Sequence, residues 1–93
     1  MIHTVVISKF AEKQIKKIPE HIVRKLLAWV KAVEEIGLEK VRKTSGFHDE
    51  PLKGQRKQQR SIRLNQAYRA IYELKENGLI EFVSIREVSK HDY

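Results

Sequence analysis

Apolar positions follow two periods along this chain, and the switch between them predicts the order of its elements. Residues 1–7 carry the β-branched set Ile2, Thr4, Val5, Val6 and Ile7, which suits a short first strand. Ser8 can cap the helix that follows, in which Phe10, Ala11, Ile15 and Ile18 recur roughly every four residues. That helix stops at Pro19, because proline disfavours helical geometry in the residue before it. A second helix starts near Glu20, whose charge complements the positive helix end. Its apolar stripe runs through Ile22, Val23, Leu26, Leu27, Trp29, Val30, Val33 and Ile36, and Gly37 ends it in a left-handed cap. Two helices joined at a proline predict a helical hairpin with one continuous apolar face.

Over residues 38–54 the period disappears, and Gly46, Pro51 and Gly54 punctuate an expected loop with a brief strand near residues 50–53. Alternation then takes over. Residues 59–64 place Ile62 and Leu64 on one face, with Ser61 and Arg63 on the other. Residues 68–74 and 79–88 flank Glu76-Asn77-Gly78, where Asn-Gly signals a hairpin because both residues accept positive φ. The expected fold is one α+β domain over residues 1–93: an N-terminal strand and two-helix hairpin packed on a three- to four-stranded antiparallel sheet.

Composition narrows the partners. The chain has 93 residues, room for one core. Its 19 Lys and Arg against 12 Asp and Glu leave a charge of +7, which favours polyanions and acidic partners. There is no cysteine, so disulfides and thiolate metal sites are excluded. The four histidines, His3, His21, His48 and His91, are scattered without ligand spacing, so neither metal nor cofactor is expected. No apolar stretch approaches membrane-spanning length, and a cytoplasmic protein is expected.

The charged residues then become informative through register. If Asn77 and Gly78 form the two-residue loop, Arg69 lies opposite Arg86 on the same face. Like charges so placed are destabilising unless the turn differs, Glu73 and Asp92 neutralise them, or an anion such as phosphate bridges them. Arg63 joins Arg69 if their strands pair. Lys53, Arg56, Lys57 and Arg60 in "PLKGQRKQQR", with Lys90 further on, read either as a solvated basic face or as a stripe along a nucleic-acid backbone. Glu50 among these cations is a salt-bridge partner or a base for a ribose hydroxyl. In the tail "SIREVSKHDY", His91 is suited to proton transfer and Tyr93 to stacking on a base, or both simply belong to a solvated end.

"EPLKG", "RSIRLNQAYRAIYEL", the Asn-Gly hairpin and "SIREVSKHDY" together resemble the RelE/ParE superfamily of toxins from bacterial toxin–antitoxin modules, most closely the RelE- and YoeB-like mRNA interferases. The resemblance implies a toxin that enters the ribosomal A site and cuts mRNA there, and an antitoxin protein that blocks it. It implies Glu50 as general base and Arg69 and Arg63 as transition-state stabilisers. Lys53 is implied as a substrate contact, His91 as the acid and Tyr93 as a further contact. One departure is visible: Asp92 separates His91 from Tyr93, which are adjacent in YoeB-like tails. ParE-like relatives share the fold but inhibit DNA gyrase without nuclease activity, and they generally lack the base and acid pair. Glu50 with His91 therefore favours the nuclease branch.

Overall fold

Ser8 is the hinge between the first strand and the first helix, and it ties both to the far end of the chain. Its Oγ accepts the Ala11 N–H at 3.1 Å as a helix cap and donates to the Arg86 carbonyl at 3.4 Å, while its own N–H donates to the Ile85 carbonyl at 3.0 Å. The computed structural model describes residues 2–54, 58–77 and 80–90. In order these form β1 (Thr4–Ile7), α1 (Lys9–Ile15), α2 (Glu20–Ile36), α3 (Leu38–Val41), a 3₁₀ turn (Ser45–Phe47), β2 (Glu50–Pro51), β3 (Gln59–Arg63), β4 (Tyr68–Asn77) and β5 (Ile80–Lys90).

The five strands make one sheet in the order β1-β5-β4-β3-β2. The three longest pair antiparallel, as the alternation predicts, and β2 adds a short antiparallel edge. The first strand is part of the same sheet: β1 runs parallel to β5, with Thr4 opposite Phe82 and Ile7 opposite Ile85. The expected loop over residues 38–54 also holds more structure than its sequence suggests. Leu38 and Val41 are buried at helical spacing in α3, a segment too short for a period to show. Gly37 joins α2 to α3 with φ 91° and ψ 147°, outside the left-handed well and in a region open essentially to glycine alone.

The helices cover one face of the sheet. From α2, Ile22, Leu26, Trp29 and Val33 are buried against Ile62, Ala70, Tyr72, Ile85 and Val88 of the strands. The buried stripe is narrower than the sequence pattern, since Leu27 and Ile36 of α2 and Phe10 of α1 are exposed. At its centre the rings of Trp29 and Tyr72 lie 5.1 Å apart and tilted by 41°. Replacing Trp29 by Ala should remove about 3–5 kcal/mol of stability, read as a lower urea midpoint with the same slope.

The N-terminal segment has its own tether. The Ile2 N–H donates to Glu39 Oε1 at 3.2 Å. The backbone N–H groups of Glu39 and Ile2 hold that carboxyl below its ordinary range. A carboxyl lowered on folding stabilises the native state above its unfolded-state pKa, and that contribution fades as pH falls through the folded value. Thermal melts of Glu39→Gln should therefore lie below the parent at neutral pH, with the gap closing in acid.

Candidate functional site: an arginine pair in an open cleft

On the face of the sheet away from the helices, pairing brings charged residues into two adjacent rows. One row is Glu50, Ser61, Ile71 and Glu87, taken from β2 to β5. The next is Arg63, Arg69 and Ser89. Residues directly opposite share a face, so the two guanidiniums project side by side from adjacent strands.

The partner of Arg69 differs from the register expected of an Asn77-Gly78 loop. Asn77 itself pairs with Ile80 and so belongs to the strand, which changes the frame, and a bulge between the Ile71 and Tyr72 pairings shifts it again. Arg69 consequently faces Ser89, and Arg86, the extra residue of the bulge, is not opposite it. Arg86 Nε instead lies 3.4 Å from Glu73 Oε1. The bulge also explains why Ile85 and Val88, three residues apart, are both buried on the helix side. It is fixed by the first helix: Ser8 binds the carbonyls of Ile85 and Arg86, and Gln14 Oε1 accepts the Val88 N–H at 2.7 Å.

Arg63 and Arg69 line a cleft of about 80 Å³ together with His48, Glu50, Ser61, Ile62, Asn65 and Gln66. Asn65 shapes its far wall, where Oδ1 accepts the N–H groups of Ala67 and Tyr68, each at 2.7 Å. The Arg69 Nε is buried and has no hydrogen-bond partner among the described residues. Two like charges side by side, one with an orphaned buried donor, form a site that an anion with several acceptor oxygens would complete.

Between His48 and Glu50, which both line the cleft, stands a group that the sequence pattern does not single out. The Asp49 side chain is fully buried and accepts from Arg60 Nε at 2.5 Å and from the Tyr72 hydroxyl at 2.6 Å. Burial, then the hydrogen bond to Asp49, pushes the Tyr72 phenol well above its ordinary value. For Arg60, burial opposes the charge, but hydrogen bonding and attraction to Asp49 outweigh it and leave its pKa raised. Arg60 is therefore turned toward the core, opposite Tyr72, and does not belong to an exposed basic stripe.

The other expected site residues divide by position. Glu50 lines the cleft beside the two arginines. Lys53 is exposed and outside the cleft lining. Lys90 pairs with Tyr68, which places it on the opposite face from Arg69. Arg56, Lys57, His91 and Tyr93 lie outside the described residues. Among the described residues there is no cluster of three or more groups suited to a metal, and no helix is long and apolar enough to cross a membrane.

The Asp49 network is testable apart from any activity. Tyr72→Phe removes one charge-assisted hydrogen bond and should cost about 1.5–3 kcal/mol. Asp49→Ala strands a largely buried guanidinium and should cost more, about 3–5 kcal/mol. Urea denaturation of the two variants should give that order.

Comparison with known proteins places the fold. The architecture matches YafQ from Escherichia coli (TM-score 0.73, 15% identity, covering 96% of this chain and 93% of that one). It also matches RelE of the RelE–RelB complex from Pyrococcus horikoshii (TM-score 0.70, 22% identity, 97% and 96%). A third match is to the YoeB–YefM complex from Staphylococcus aureus (TM-score 0.70, 20% identity, 99% and 100%). No curated protein matches the sequence significantly. A family model, ParE toxin of the type II toxin–antitoxin system parDE, matches residues 5–91. The fold is thus that of the RelE/ParE toxins, and the chain belongs to the ParE toxin family of type II toxin–antitoxin systems.

Proposed function

We propose that this toxin is an endoribonuclease that inhibits translation by cutting mRNA in the ribosomal A site. The single observation that carries the reading is the Arg63–Arg69 pair, side by side in an open cleft with Glu50 on its rim and the buried Arg69 Nε unpartnered among the described residues. In the proposed reaction Glu50 takes the proton of the ribose 2′-hydroxyl. The freed oxygen attacks the adjacent phosphorus, and the two guanidiniums meet the charge that develops on the phosphoryl oxygens. The products are a 2′,3′-cyclic phosphate and a 5′-hydroxyl.

A cleft this open buries little of a flexible strand. The ribosome, by holding the message, supplies the orientation that the protein cannot, so free RNA is a poor substrate. The proposed partners are accordingly the ribosome with its mRNA and a cognate antitoxin. Solved relatives in complex with RelB and YefM support the antitoxin. The charge of +7 suits an acidic segment that folds on binding.

The match to a ParE family model favours a second reading, inhibition of DNA gyrase without nuclease activity. Expression in cells separates the two. Primer extension should show codon-phased cuts in translated messages. Arg69→Ala should lose on the order of a hundredfold or more of that cleavage and most of the growth arrest. Intact messages with linearised DNA would establish the gyrase reading. Salt-sensitive RNA binding with no new ends would mean a binding module instead.

A further inference from the structure

Cleavage through a 2′-hydroxyl needs two proton transfers, one from the attacking oxygen and one to the oxygen that leaves. Glu50 accounts for the first. For the second, the described residues offer an imidazole that the family resemblance does not: His48 lines the cleft beside Glu50, Arg63 and Arg69.

Its backbone is unusual. His48 has φ 47° and ψ 53°, and among the described residues it is the one non-glycine with positive φ. This left-handed conformation is costly for an L-residue and free for glycine, and such strain collects at functional sites. The next residue explains how the strain is held. Asp49 is turned fully inward, clamped by Arg60 and Tyr72, while His48 and Glu50 on either side of it are exposed and border the cleft. One buried anchor therefore presents both flanking side chains to the same space. An imidazole exchanges protons readily near neutral pH, which suits it to this task.

We propose that His48 is the general acid of this site, an inference that rests on the nuclease reading. As Glu50 accepts the 2′-hydroxyl proton, the O2′–P bond forms and the P–O5′ bond breaks, and the protonated His48 imidazole gives its proton to the departing O5′. The step leaves a 2′,3′-cyclic phosphate, a 5′-hydroxyl, a protonated Glu50 and a neutral His48. Exchange with water restores both groups.

The test replaces O5′ of the scissile linkage by sulfur, because a thiolate leaves without a proton. Ribosomes programmed with a message carrying either linkage in the A-site codon are treated with the full-length parent, His48→Ala, His91→Ala and Arg69→Ala. His48→Ala should cut the ordinary linkage at least about a hundredfold more slowly and the sulfur linkage within a few-fold of the parent. Arg69→Ala should be slow on both. His48→Gly relieves the backbone, so it should melt no lower than the parent while losing cleavage of the ordinary linkage. Equal loss by His48→Ala on both linkages would reduce the residue to a structural part and overturn the proposal. Parental rates for His48→Ala, with sulfur rescue of His91→Ala instead, would overturn it in favour of the tail histidine. Failure of the parent on both linkages would end the nuclease reading, and this proposal with it.

Discussion

The arrangement depends on one buried carboxylate. Asp49 sits with its side chain out of solvent, and a charge so placed is tolerable only when donors surround it. Arg60 and Tyr72 provide them from adjacent strands, and Tyr72 is itself set by the ring of Trp29 in the helix layer. This chain of contacts connects the core of the fold to the segment that borders the cleft. It gives the 48–50 segment a fixed orientation without any long element of regular structure. The clamp also carries a liability common to buried ion pairs: its worth lies less in net stability than in the penalty for losing one member.

The sheet face shows how bulges convert a strand into a site. Regular alternation in β5 would have put Ile85 and Val88 on opposite faces, leaving one of them in solvent. The extra residue at Arg86 brings both to the core, and the open-face row that includes Arg69 and Ser89 follows from that adjustment. α1 holds the bulge through Ser8 and Gln14, so a seven-residue helix far from the cleft in sequence takes part in setting its register.

Much of this was legible in the residues. The helical period of α2, the alternation of β3 and the β-branched first strand are local signals, and each became the element it suggests. The adjacency of Arg63 and Arg69 follows from the pairing of β3 with β4. What escaped was non-local. The parallel pairing of β1 leaves no mark in its own sequence, and Asn77 of the Asn-Gly signal is a paired strand residue. In the bulge, the odd spacing of Ile85 and Val88 was the available clue. The inward turn of Asp49 could not be read from a segment without period, because it depends on donors from strands that begin ten or more residues later.

The parallel contact between β1 and β5 has a consequence for how the chain acquires its shape. Thr4 finds its partner only at Phe82, so the chain through that residue must be available before the first strand can pair. Contacts of that span make closure slow relative to a helical bundle. On a synthesising ribosome the N-terminal segment waits, its edge unsatisfied, while the helices and the central hairpin emerge. The sheet is therefore sealed late, by the joining of the earliest strand to the latest.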